Sequence, residues 1–189
     1  ETRHGVDTIR IVRGLRGRVP MGMDLVVRFD YGVTTPWVRA VNGRLHFAAG
    51  SHALDFGSPV PLIESALGHN ATFVVSKGDS LAFTLTWHEP HLNCPEPPDP
   101  ATALANTLAA WENWAAASPL ADPLRELTMR SLVTLKGLTY SPTGGIVAAP
   151  TTSLPEALGG TRNWDYRYCW LRDATFVLYA LILGGYTAE

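Results

Sequence analysis

Tyr166, Tyr168, Trp170, Arg172 and Asp173 stand close together immediately ahead of an apolar run. A carbohydrate site uses this mixture: an aromatic face packs on the apolar C–H side of a pyranose, while Arg and Asp serve neighbouring hydroxyls as donor and acceptor. The run that follows predicts a helix starting near Asp173 and ending at Gly184-Gly185, so Asp173 meets the positive end of the helix dipole. Arg172, with its planar fork, can brace that carboxylate or reach a sugar directly. A plainer reading fits the same residues. Arg172 and Asp173 can be a cap and a surface ion pair, with Trp164 and Trp170 filling a core.

Other chemistry-bearing residues carry less. His88-Glu89-Pro90-His91 lacks the HExxH spacing, and Pro90 denies the helix that would put two histidines on one face, so no metal and no cofactor are expected. Cys169, with only Arg167 and Arg172 nearby to lower its pKa, reads as a small buried neighbour rather than a nucleophile. Cys94 and Cys169 lie far apart, outside any CxxC or Cys/His ligand spacing, and imply no disulfide framework. Gly144-Gly145 follows Pro142 without a Lys-Ser/Thr pair, which makes it a turn and not a phosphate loop.

The elements that must position these residues change character along the chain. Leu81, Phe83, Leu85 and Trp87 alternate with smaller or polar residues, the period of a strand with one buried face. Leu25, Val27, Phe29 and Tyr31 repeat the pattern, and shorter strands are expected at Ile9 to Arg13 and Thr72 to Ser76. Trp37 to Val41 and Arg44 to Ala48 flank Asn42-Gly43, a hairpin signal. Between Pro90 and Pro100 too many prolines accumulate for strand or helix to continue. Beyond them the period becomes helical: Leu104, Leu108, Trp111 and Ala115 form one stripe, with Asp99 as N-cap and Pro100 in the first turn. Asp122-Pro123 is the expected start of a second helix, with Leu124, Leu127, Ser131, Leu135 and Leu138 on its buried face. From Thr139 to Tyr168 periodicity is lost, and loops of that length are often functional.

Composition excludes several classes. With 189 residues, 46% apolar and 17% charged, the chain is an ordinary packed globular protein. A net charge of -2 without a basic block argues against nucleic acid as a partner. The longest apolar stretch, Ala174 to Gly185, is short of the roughly 20 residues needed to span a bilayer, so no membrane partner is expected. A reducing, cytoplasmic setting fits the two isolated cysteines.

The string from Gly159 to Ala174, GGTRNWDYRYCWLRDA, closely resembles the corresponding segment of glycoside hydrolase family 15, the glucoamylase and trehalase-like enzymes. The resemblance extends upstream through Leu135 to Tyr140 and Gly144 to Glu156, and the N-terminal half resembles the sandwich domain that bacterial members place before their helical barrel. Trp164 and Cys169 favour the bacterial trehalase-like branch. The resemblance implies a mixed fold: an N-terminal antiparallel β-sandwich at residues 1–90, a proline-rich linker and linker helix at 91–118, and at 119–189 the first helices of an all-α (α/α)6 barrel, incomplete in this chain. It implies that Arg172 and Asp173 bind the non-reducing glucose in the innermost subsite, that Trp170 lines it, and that Tyr166 lies close to the attacking water. Family members invert at the anomeric carbon, using a glutamic acid and a glutamate about 6.5–9.5 Å apart. Both come later in the family's fold than Asp173, so no catalytic acid or base is expected among these residues. Glu156 and Asp165 are then loop supports.

The expectation is a fragment of an inverting glycoside hydrolase that releases glucose from trehalose or from α-glucan ends, its partner an oligosaccharide or disaccharide substrate. The fragment alone is expected to be inactive. Two alternatives stand: a non-catalytic carbohydrate-binding or structural sandwich module, and a disaccharide phosphorylase of the same architecture. Helices cut off from their barrel neighbours would leave apolar faces uncovered.

Overall fold

The computed structural model describes residues 5–121 and 123–189 and divides into two units, the second beginning at Ala105. The first unit holds strands β1 (Val6–Arg13), β2 (Arg18–Leu25), β3 (Trp37–Val41), β4 (Arg44–Ala49), β5 (His52–Gly57), β6 (Ile63–Glu64), β7 (His69–Ser76) and β8 (Ser80–His88). They make an antiparallel five-stranded sheet in the order β1-β8-β5-β4-β3 and an antiparallel three-stranded sheet in the order β2-β7-β6. Phe47, Phe56 and Phe83 from the first sheet are buried with Val27 and Phe29, and Phe73 of the second sheet joins them with its ring 5.7 Å from that of Phe83. The N-terminal half is thus two antiparallel sheets around one aromatic core, followed by helices, as expected.

Local chemistry explains the joints. Asn42 at φ 50° and Gly43 at φ 76° turn β3 into β4, so Val41 pairs Arg44 as the Asn-Gly signal predicts. The strand expected from Leu25 to Tyr31 ends instead at Leu25. Asp30 and Tyr31 take positive φ, 49° and 58°, and curl the chain into a turn closed by the Phe29–Thr34 bridge. Val27 and Phe29 are buried all the same, held there by the core and not by a ladder.

The outward face of the large sheet carries an unusual load. Asp55 lies opposite His46 on β4 and opposite Thr86 on β8, alternating with the core-facing Phe47 and Phe56. Asp55, Thr86 and His88 are nevertheless buried. The segment after β8 returns over this face: the Cys94 thiol, close enough to Asp55 to bear on its ionisation, donates to Pro95 O at 3.5 Å, and a side chain at Gly5 would meet Pro95 Cγ at 2.6 Å. Burial opposes ionisation of Asp55 most, yet hydrogen bonds from Cys94, His88 and His46 outweigh it and hold the carboxyl below its usual range. Burial, and next the Asp55 carboxylate, push the Cys94 thiol up to about 12.

Three helices follow: α1 (Pro100–Ala116), α2 (Arg125–Gly137) and α3 (Leu171–Leu183). Asp99 starts α1 as expected, its Oδ1 accepting from Thr102 N at 2.9 Å and from Thr102 Oγ1 at 2.7 Å. Asp122, the expected cap of α2, lies outside the described residues. The buried face of α2 is only in part the one expected: Leu135 and Leu138 pack against the core. Met129 and Leu132 are buried, whereas Leu124 and Leu127 stand 63% and 68% exposed, because Val177 and Leu181 of α3 meet the Met129 side. Tyr186 completes this core, stacked on Trp114 at 3.9 Å and donating to Trp114 O at 2.9 Å. Gly184 caps α3 with its carbonyl accepting from Ser118 Oγ at 2.7 Å, the stop that Gly184-Gly185 signals.

Phe47 is 2% exposed at the centre of the sheet core. Phe47→Ala is expected to lower unfolding free energy by about 3–5 kcal/mol, the cost of deleting a buried ring. Chemical denaturation followed by circular dichroism in the β region measures it, and a loss under about 1 kcal/mol would mean the sheets do not share this core.

Candidate functional site

The stretch between α2 and α3 lacks long elements but is far from loose. A minimal hairpin, β9 (Thr139–Tyr140) with β10 (Gly145–Ile146), turns at Gly144, whose φ of 71° makes the Gly144-Gly145 pair a turn. Two extended arms then run alongside each other. Ala148 N donates to Tyr168 O at 3.1 Å, Ala149 N to Tyr166 O at 2.9 Å, Ser153 N to Trp164 O at 2.7 Å and Glu156 N to Arg162 O at 2.9 Å. Trp164 N returns a bond to Ser153 Oγ at 2.8 Å, and Thr152 bridges Asp165. The long aperiodic loop therefore contains an irregular ladder that pairs four backbone amides of one arm with carbonyls of the other.

Its side chains lock the far arm. Asp165 Oδ1 accepts from Arg167 N at 3.0 Å and Arg167 Nε at 2.9 Å, and Oδ2 accepts from Arg167 Nη2 at 2.8 Å. This is the bidentate fork of a guanidinium on a carboxylate. The Arg167 side chain first, then its amide, hold the Asp165 carboxyl below its usual range. Glu156 accepts from Trp164 Nε1 at 3.2 Å. Asp165 and Glu156 support the loop, the role their sequence positions suggest.

The structure places the candidate residues as two pairs. Tyr166 and Trp170 are half-buried with rings 5.9 Å apart and tilted 50°, while Trp164 meets Trp170 edge-on at 6.4 Å. Trp170 Nε1 donates to Asp165 O at 3.3 Å, so the fork and the aromatic pair share one residue. Arg172 Nη2 donates to Asp173 Oδ2 at 3.1 Å, with the Arg side chain 71% exposed and the Asp side chain 30%. The helix begins earlier than expected: Trp170 is its N-cap residue and Leu171 its first member, which puts Asp173 within the first turn. An exposed ion pair contributes about 0–1 kcal/mol to stability. Cys169 is exposed, not the buried neighbour expected, and both cysteines are free. It follows Tyr168, itself 62% exposed, on a segment whose core-facing side is taken by Trp170.

Sequence reasoning missed the Asp165–Arg167 fork, although the i, i+2 spacing of opposite charges in an extended segment was there to read. It also missed β5 and with it the grouping of Asp55 with His46 and His88.

Comparison with known proteins puts the chain among the glycoside hydrolases: residues 123–189 match the model of Glycosyl hydrolases family 15. A trehalase of Mycobacterium tuberculosis is 44% identical over 192 residues, which cover 96% of this chain and 28% of that protein. A trehalase of Mycolicibacterium smegmatis is 45% identical over 116 residues, 61% of this chain and 17% of the relative. A trehalase of Thermoplasma acidophilum is 34% identical over 187 residues, 95% of this chain and 31% of the relative. The chain belongs to glycoside hydrolase family 15, and these relatives are trehalases. It spans between 17% and 31% of their length. No solved structure matches it. Among the described residues no helix is long and apolar enough to cross a membrane.

Because the Asp165 carboxyl is held low, its contribution to loop order is present in full above the ordinary carboxylate range, about 3.9, and is lost as pH falls through the lowered value. Asp165→Asn is expected to shift the Trp164 and Trp170 fluorescence at neutral pH in the direction that the parent chain shows only in acid. An unchanged emission spectrum would remove the fork from the loop's support.

Proposed function

We propose that this chain carries the glucose-binding loop of an inverting α-glucosidase that acts on trehalose or on the non-reducing ends of α-glucans. In this reading residues 1–90 are a sandwich domain, 91–118 a linker with its helix, and 119–189 the start of an (α/α)6 catalytic domain. Arg172 and Asp173 hold the glucose of the innermost subsite, Trp170 lines it, and Tyr166 positions the attacking water. The acid and base are glutamates outside these residues.

The observation that carries the reading is the pairing at the head of α3. An aromatic pair braced from behind by Asp165 adjoins an Arg–Asp pair that does little for stability and keeps its polar atoms available. The relatives' trehalase activity supports a disaccharide of glucose as substrate. The barrel finds support in α3 itself. Val177 and Leu181 are buried while Leu171, Phe176, Tyr179, Ile182 and Leu183 stand more than half exposed, and a helix apolar all round belongs among other helices.

In the full-length protein, Asp173→Ala is expected to lower kcat/KM for trehalose by about 3 kcal/mol, roughly 150-fold, the scale of two charge-assisted hydrogen bonds lost in the transition state. Activity near that of the parent would remove Asp173 from the subsite. The 189-residue chain by itself is expected to release no glucose from trehalose or maltose; release by the purified chain would place the acid and base within it.

A further inference from the structure

Behind the sheet, far in sequence from the sugar loop, one carboxylate faces two imidazoles. Asp55 Oδ1 lies 3.1 Å from His46 Nδ1 and Asp55 Oδ2 lies 2.7 Å from His88 Nε2. One donor atom from each of the three residues falls within 4.8 Å of the others, and His88 and Asp55 are among the most buried polar residues described. We propose that His46, Asp55 and His88 bind a divalent transition-metal ion of the Zn2+ class, with the Cys94 thiolate as fourth ligand.

The hydrogen-bond inventory supplies the first reason. His88 Nδ1 lies 2.9 Å from Glu89 O, and a carbonyl can only accept, so Nδ1 carries the proton. The neutral ring then presents the Nε2 lone pair to a carboxylate oxygen that also has only lone pairs to offer. A cation between them resolves the conflict, either a proton or a metal. Metal-bound histidines characteristically donate their other N–H to a carbonyl or carboxylate, which is what His88 does.

Charge balance supplies the second. Two neutral imidazoles, one carboxylate, one thiolate and a dipositive ion sum to zero. The Cys94 thiol, which donates to Pro95 O at 3.5 Å, would exchange that proton for the metal on binding. The N2OS donor set is that of tetrahedral zinc, in which ligand atoms at about 2.0–2.3 Å from the ion lie about 3.3–3.6 Å apart; the Asp55–His88 and Asp55–His46 pairs, at 2.7 and 3.1 Å, come within several tenths of an ångström of that, and Cys94, outside the group of three, would have to close onto the ion.

The surroundings supply the third. The backbone carbonyl of Asp55 accepts from Arg44 Nη2 at 3.1 Å, the same guanidinium donates to Thr86 Oγ1 at 3.2 Å, and Thr86 donates to Asp7 Oδ1 at 2.8 Å. Strands β1, β4, β5 and β8 thus join around the cluster, so a bound ion would tie the sheet to the segment that holds Cys94. His91, the other histidine of the His88 to His91 stretch, lies outside it, exposed and 3.4 Å from Glu89.

Metal content of the full chain, purified without chelator, and titration of the chelated chain with Co2+ test the site. The expected result is one ion per chain, intense visible bands of tetrahedral cobalt and a near-ultraviolet thiolate-to-cobalt band that Cys94→Ser abolishes. His88→Ala and the milder His46→Gln are expected to weaken binding roughly 100-fold or more, beyond the usual loss on removing an outer partner, while His91→Ala leaves it unchanged. Pale octahedral spectra, or binding that persists in both His88→Ala and His46→Gln, would overturn the site. A tetrahedral spectrum without the thiolate band would overturn the four-ligand assignment. Should His88→Ala fail to fold, His46→Gln and the chelator-induced drop in the first thermal transition of the parent chain decide the matter, and no drop counts against the proposal.

Discussion

A segment without regular elements can position chemistry only if its own backbone is satisfied, because an unpaired amide or carbonyl either seeks water or moves. Between α2 and α3 this constraint is met by two arms bonded rung by rung from Ala148 and Tyr168 out to Glu156 and Arg162. The rungs fix where Tyr166 and Trp170 emerge, and Trp170 stands at the N-cap position of α3, its carbonyl accepting from Ala174 N at 2.9 Å. Asp165 secures the turn between them from both ends, taking the Arg167 fork on its side chain and the Trp170 indole on its carbonyl. Loop order, aromatic placement and helix start are one structural event.

The sheet unit meets a different constraint. A sheet face that is covered needs an apolar lining, yet where the outward face of the five-stranded sheet is buried it holds a carboxylate, a threonine and two histidines. Such a set is tolerable only when every polar atom has a partner, and a partly satisfied set costs more than an apolar one. The two imidazoles and the Cys94 segment around Asp55 together hold its carboxyl low in spite of its burial. The proline-rich stretch that breaks the strand pattern is therefore not merely a spacer. Its Cys94 lies near enough to Asp55 to bear on its ionisation, and its Pro95 packs beside Gly5.

Legibility followed physical range. The Asn42-Gly43 turn, the Asp99 cap and the Gly184 stop depend on φ angles and single hydrogen bonds within a few residues, and all could be read from local sequence. The end of β2 could not, because alternation continues through Phe29 while the turn at Asp30 and Tyr31 needs positive φ that those residue types do not announce. β5 escaped because a strand buried on both faces loses alternation, and Asp55 in its middle looks like a surface residue. The first turn of the α2 face escaped for a related reason, while Leu135 and Leu138 met the core: Leu124 and Leu127 are as apolar as Met129 and Leu132, and only the neighbour α3 chooses between them. The loop before α3 was legible as a string resembling a family, whereas its ladder and fork were tertiary.

Within the proposed site the two charged residues are held unequally. Precise sites need groups fixed to about half an ångström, which packed rotamers and outer hydrogen bonds provide. Asp173 has such support: it sits in the first turn of a helix anchored by Val177 and Leu181, and its side chain is mostly covered. Arg172 has one bond, to Asp173, and a side chain 71% exposed. A carboxylate set by the helix and a guanidinium hung from it make a hinge, so a hydroxyl that replaces water at Asp173 also gains an Arg donor within reach. Ordering the arginine then costs side-chain entropy, about 2 kcal/mol at most, against charge-assisted bonds of about 1.5–3 kcal/mol each. The margin favours binding when at least two such bonds form, and a vicinal pair of sugar hydroxyls supplies them where a lone alcohol does not.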